Sequence, residues 1–142
     1  MKLITLLLIS IFTFNIQAFA IEENIRTYTE TDIEILAKMA WGEARGLSDE
    51  EIALTVWTVL QRVDNPRWPD SIAAVVRQPN QFIGYRSNHP VDENIRTIVE
   101  EALVAWVDDE LAPVLYPFAK TRPYYFFSGR NGHNWFCEHY RR

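Results

Sequence analysis

The sequence predicts a mainly α domain of the α+β class, with about four helices followed by short aromatic strands near the C-terminus. Three observations carry that expectation. Between Thr29 and Val107 apolar residues recur three and four positions apart, and each such stretch opens on a Ser, Thr or Asp able to cap a helix. Beyond Val107 that period stops, and short aromatic runs separated by Pro, Gly and Asn take over. At 142 residues, with 48% apolar and 23% charged, the chain suits one domain with a substantial core and is short for two.

The first helix is read from "TETDIEILAKMAWGEARG". Thr29 with Asp32, or Thr31 with Glu34, supplies a capping box, and Ile33, Leu36, Ala37, Ala40 and Trp41 form the apolar stripe. Gly46 ends the helix, being free to take a positive φ. A second helix starts at once. Ser48 and Glu51 form its capping box, Asp49 and Glu50 favour its positive end, and Ile52, Val56, Val59, Leu60 and Val63 make one stripe, so burial is expected on one side. "DNPRWPD" is a loop by its two prolines, and Asp70 or Ser71 caps a short third helix carrying Ile72, Val75 and Val76, which ends before Pro79.

"QPNQFIGYRSNHP" is irregular, polar and aromatic together, a mixture more usual in a binding loop than in a connector. A fourth helix is expected from about Asp92 to Val107, with Ile95, Ile98, Val99, Ala102, Leu103 and Trp106 inward. "APVLYPFAK", "PYYFFSG" and "NWFCEHY" then read as short strands or extended loops. Aromatics make up 13% of the chain, which suits either a core of large side chains or a groove with flat faces for sugars or bases.

The first twenty residues form a separate object. Lys2 gives a positive start, "LITLLLISIFTF" is an apolar run of twelve residues, and Ala18 to Ala20 fit the small-x-small cleavage rule. This is expected to be a secretory signal peptide cut after Ala20, the run being shorter than the roughly 20 residues a bilayer span needs. Residues 21–29 are then a leader, and 30–142 the domain. Export to the periplasm, wall or exterior follows, with no stable membrane insertion after cleavage.

Without Lys2 the chain keeps 13 basic and 19 acidic residues, a net charge of −6, which argues against nucleic acid as a general partner. Between Arg122 and Arg142, four arginines and two histidines face one acid, so a local basic patch is open. Cys137 is the only cysteine, which leaves no internal disulfide and a fold held by its core.

One residue breaks the apolar pattern. On the helical wheel Glu43 falls about 20° from Leu36 and about 60° from Ala40, with the stripe rather than away from it. A carboxylate buried without a partner costs several kcal/mol, so it needs a cation, a raised pKa or a cleft. Arg45, two positions on, faces elsewhere on the helix. Either the last turn frays and Glu43 reaches solvent or a distant arginine, or Glu43 is an acid kept protonated near neutral pH, as a general acid for glycosidic cleavage requires.

"LAKMAWGEARG", then "IALTVWTVLQRVDNPRWPDSIAAVVRQPNQF", then "YYFFSG" and "GHNWF" resemble, in that order, the spore cortex-lytic type of bacterial cell wall hydrolase, the SleB/CwlJ kind. The resemblance implies a compact lysozyme-like domain that acts on peptidoglycan glycan strands, without metal or other cofactor, with Glu43 as the catalytic acid. It implies cleavage between N-acetylmuramic acid and N-acetylglucosamine. In members read as lytic transglycosylases the muramic 6-hydroxyl attacks, so one enzyme carboxylate suffices, whereas ordinary hydrolysis needs a second. Asp49, Glu50, Glu51, Asp64, Asp70 and Asp92 all sit at helix starts, caps or turns, and the transglycosylase outcome is favoured.

Gln81 and Phe82 match the family's "QF" pair, the amide placed to hold a sugar N-acetyl or hydroxyl group and Phe82 to pack behind it. Ile83 stands where the family usually has Ser or another small polar residue. Tyr124, Tyr125 and Phe127 match a groove-lining aromatic strand, with core packing as the alternative, and His133 matches a closing segment. Three rival readings remain: a non-catalytic exported peptidoglycan-binding module, a zinc site from His133, Cys137 and His139, and a cysteine enzyme using Cys137. The spacing of those three resembles neither H-E-x-x-H nor H-x-x-E-H.

Overall fold

A computed structural model describes residues 28–108, 110–112, 125–128 and 134–137. Four helices run in chain order, α1 (Glu30–Ala44), α2 (Asp49–Val63), α3 (Ile72–Val76) and α4 (Glu93–Val107), and two short strands follow, β1 (Tyr125–Ser128) and β2 (Asn134–Cys137). The mainly helical expectation holds.

Each helix begins where a short polar side chain can take up an orphan N–H. Of the two boxes offered for α1, Thr29 and Asp32 make theirs: the Thr29 hydroxyl accepts from Asp32 N at 3.1 Å, and the Asp32 carboxylate accepts from Thr29 N at 3.0 Å. Thr31 and Glu34 do not, and Glu34 pairs with Lys38 one turn on. Ser48, Ser71 and Asp92 cap α2, α3 and α4. Gly46 closes the link after α1 at φ 81°.

The second helix departs from its expected one-sided burial. Ile52 to Leu60 are all buried, because α1, α3, α4 and β1 pack around α2. Its polar members tolerate this by bonding within the helix, Thr55 Oγ1 donating to Glu51 O at 2.8 Å and Thr58 Oγ1 to Leu54 O at 2.9 Å. Trp57 donates its indole N–H to Ala102 O of α4 at 2.9 Å and meets Trp106 at 6.1 Å between ring centroids, tilted by 58°. Each such buried large side chain contributes roughly 1.5–3 kcal/mol, so α2 is the axis of the core. At the surface Arg96 joins α4 to α1 through a forked pair with Glu30, at 2.6 and 2.8 Å.

The strands form an antiparallel hairpin with Tyr125 opposite Cys137 and Ser128 opposite Asn134. Phe136 packs on the helical core, which fixes the hairpin beside α2. The aromatic segment 113–124, the predicted signal and most of the leader lie outside the described residues. Among the described residues, no helix is long and apolar enough to cross a membrane.

Candidate active site

The last turn of α1 does not fray. It stays helical through Ala44, which leaves Glu43 half-buried and facing the irregular segment that links α3 to α4. Two glycines bring that segment in. A Cβ on Gly42 would stand 2.1 Å from Gly84 O, and one on Gly84 would stand 2.5 Å from Gly42 O, so backbone lies on backbone with room for no side chain. The contact delivers the Gly84 N–H to Glu43 Oε1 at 2.5 Å. Oε2 has no partner among the described residues.

Burial pushes the Glu43 carboxyl above the ordinary glutamate value, against the opposing pull of the Gly84 N–H and the Arg86 guanidinium. Arg45 is no partner, as its place on the helix indicated. Its guanidinium lies over the Trp41 ring at 4.1 Å and donates to Trp41 O at 3.2 Å. Trp41, expected in the apolar stripe, sits half-buried at the edge of the core, its ring 4.5 Å from that of His89. From the hairpin, Asn134 donates its amide to Glu43 O at 3.4 Å, while its backbone N–H goes to Glu51 Oε1 at 2.8 Å. Glu51 thus ties the hairpin to the start of α2.

Phe82 is buried, at 4% exposure, and Gln81 is exposed beside it. Beneath them lies Arg62 of α2, only 3% exposed, stacked 4.5 Å from the Trp68 ring and 5.0 Å from the Phe82 ring. Its Nη1 donates to Gln81 Oε1 at 3.1 Å. Asn80, at φ 62°, turns the chain between Pro79 and Gln81. Ile83 is 70% exposed, and its carbonyl accepts from Arg86 at 2.7 Å.

Gln81 and Phe82 thus lie on the same segment, residues 78–90, that brings Gly84 to Glu43. Tyr125 and Phe127 occupy alternate positions of β1 by backbone register. Tyr124, His133 and His139 lie outside the described residues, and Cys137 is placed on β2 by its backbone alone. Arg62, Gly42, Gly84, Glu51 and Asn134 were not singled out from the sequence as site residues. The signal for Arg62 was a cation in "VLQRV" inside an otherwise apolar stretch, and that for Gly42 a glycine one position before the acid.

A model of the Cell Wall Hydrolase family matches residues 49–139, more than half of the chain. The chain belongs to the cell wall hydrolase family. Gln81 and Phe82 lie within the matched span, and Glu43 lies just ahead of it. Among curated members, the chain is 29% identical over 118 residues to a spore cortex-lytic enzyme of Bacillus subtilis (strain 168), covering 78% of this chain and 39% of that protein. It is 27% identical over 94 residues to a spore cortex-lytic enzyme of Oceanobacillus iheyensis, covering 64% and 33%, and 29% identical over 79 residues to one of Halalkalibacterium halodurans, covering 54% and 24%. The chain thus spans two fifths or less of the length of these relatives. No solved structure matches it.

Proposed function

We propose that this cell wall hydrolase cleaves the glycan strands of peptidoglycan between N-acetylmuramic acid and N-acetylglucosamine, as a lytic transglycosylase with Glu43 as general acid. Residues 30–142 form the catalytic domain, and residues 1–20 direct export. The observation that carries the reading is the state of Glu43: half-buried, shifted toward its protonated form, one oxygen held by Gly84 and the other without a partner among the described residues.

Those features suit an acid. The bond from Gly84 N–H fixes the plane of the carboxyl, and burial lets it hold its proton to higher pH than an ordinary glutamate. Glu43 gives that proton to the glycosidic oxygen, the C1–O bond of the muramic residue breaks, and the glucosamine departs with a restored hydroxyl. Oxocarbenium character builds at C1. The muramic 6-hydroxyl oxygen then bonds to C1, its proton returns to the Glu43 carboxylate, and a 1,6-anhydro end is left.

The engagement of other carboxylates supports this outcome over hydrolysis. Asp92 caps α4, Asp64 accepts from the Trp106 indole at 3.2 Å, and Glu51 holds the hairpin. One feature favours a second reading, an exported peptidoglycan-binding module without turnover: the exposed apolar Ile83 beside the site.

Purified protein incubated with peptidoglycan decides between them. Anhydro-muropeptides support the transglycosylase, reducing muramic ends a hydrolase, and bound but uncut glycan the binding module. Release by Glu43→Gln as fast as by wild type would show that Glu43 is not the acid.

A further inference from the structure

We infer that Arg62 is a positioning residue that locks the Gln81 amide with its NH2 outward, so that this part of the site recognises a hydrogen-bond acceptor, the carbonyl oxygen of a sugar acetamido group. The inference rests on the glycan-strand reading above and names the group that Gln81 selects.

A glutamine amide is an acceptor at one end and a donor at the other, and a half turn of its last torsion exchanges them. On an open surface either end serves. Here the choice is forced, because a guanidinium carries only donors, so the atom 3.1 Å from Arg62 Nη1 has to be the oxygen. Arg62 has little freedom to turn away. It is 3% exposed, with Trp68 and Phe82 stacked beside its guanidinium. The far end of Gln81 is fixed as well, since the neighbouring Phe82 is buried in the core. What remains is an NH2 group on an exposed side chain, with no acceptor among the described residues.

Of the groups on an N-acetylated sugar, hydroxyls both donate and accept, and the acetamido N–H only donates. Ring and glycosidic ether oxygens also only accept, but weakly, so the acetamido carbonyl, the strong acceptor that both sugars carry, is the complement of a locked NH2. An opposed acceptor leaves two lone pairs face to face, and a polar site rejects such a partner far more strongly than an apolar pocket rejects an extra methylene.

Binding is measured with purified glycan strands, fully N-acetylated or chemically N-deacetylated, in the Glu43→Gln background so that turnover does not intervene. Adding Gln81→Glu retains an acceptor for Arg62 and replaces the outward donor by an acceptor. The expected result is affinity for acetylated strands lowered at least about tenfold, a melting temperature no lower than that of the parent, and a penalty that vanishes or reverses on deacetylated strands. Arg62→Met, where it folds, lets the amide rotate and reduces the preference for acetylated strands; Gln81→Glu carries the test where it does not. Undiminished binding by the Gln81→Glu protein, or an equal loss on both kinds of strand, overturns the inference. Products from the wild-type protein are scored separately, so binding without cleavage removes the proposed reaction and leaves the acetamido result legible.

Discussion

Gly42→Ala tests how the acid is held. The new methyl would lie 2.1 Å from Gly84 O and 3.1 Å from His89 Cε1, and its first obstacle is backbone rather than the end of a flexible side chain. Ordinary contact begins near 3.4 Å, so the segment carrying Gly84 has to retreat by more than an ångström. A retreat along that direction stretches the 2.5 Å bond from Gly84 N to Glu43 to the limit of a hydrogen bond. Overpacking of this kind costs roughly 1–3 kcal/mol, and a domain of this size loses roughly 4 °C of melting temperature per kcal/mol. A displacement of about 1 Å at a reacting group costs on the order of 100-fold in rate. The expected variant is therefore folded, melts roughly 4–12 °C lower, and releases muropeptides about 100-fold more slowly at a temperature where it is fully folded. Gly46→Ala is the control. Gly46 has φ 81°, and a methyl added there would meet nothing within 4 Å, so alanine is strained at this position without pushing on Glu43. It should lower the melting temperature and keep wild-type turnover. Gly42→Ala with wild-type turnover, or Gly46→Ala as inactive as Gly42→Ala, would refute the claim that backbone contact at Gly42 and Gly84 places the acid.

Two further outcomes follow from the charge state of Glu43. Because its folded pKa is raised, the native state holds the proton to higher pH than the unfolded chain, so stability falls as pH climbs from the ordinary value of 4.5 through the folded value. Glu43→Gln should accordingly melt higher than wild type at neutral pH, with the difference closing as pH falls toward 4.5; an equal difference at both pH values would contradict the raised pKa. Arg86 pulls the Glu43 pKa down, so Arg86→Ala should move the alkaline limb of the kcat/KM profile to higher pH, and an unmoved or acid-shifted limb would remove Arg86 from the electrostatics of the site.

The helices were legible because their signals are local. Caps at Thr29, Ser48, Ser71 and Asp92 and the spacing of Ile33, Ile52, Ile72 and Ile95 depend only on neighbours within a turn or two. Glu43 was legible for the same reason: its position on the wheel is a property of α1 alone. What the wheel could not supply is the partner, because Gly84 lies 41 positions away and reaches Glu43 through backbone. Glu51 was legible in part for the same reason. Its place at a helix start was read correctly, yet its carboxylate also serves Asn134, 83 positions on. Arg62 was the hardest case, since a cation in an apolar stretch suggests solvent, and only the folded chain supplies the two rings that cover it.

The segment between α3 and α4 touches the helices at two unlike points. At Gly84 it meets α1 backbone to backbone, and at Gln81 it meets the Arg62 side chain of α2, with Phe82 driven into the core between them. Neither anchor is sufficient alone. The glycine contact fixes the distance between the segment and α1 but leaves the Gln81 amide free to rotate, while the Arg62 bond orients the amide without setting how close the acid approaches Gly84. Together they tie the position of the Glu43 carboxyl on α1 to that of the Gln81 amide through one segment. Perturbations at groups that share a rigid connection are not additive, so Gly42→Ala and Arg62→Met, each of which loosens one anchor, should together change glycan binding by something other than the product of their separate effects. Full additivity would mean that the segment flexes between its anchors and that each end of the site is built independently.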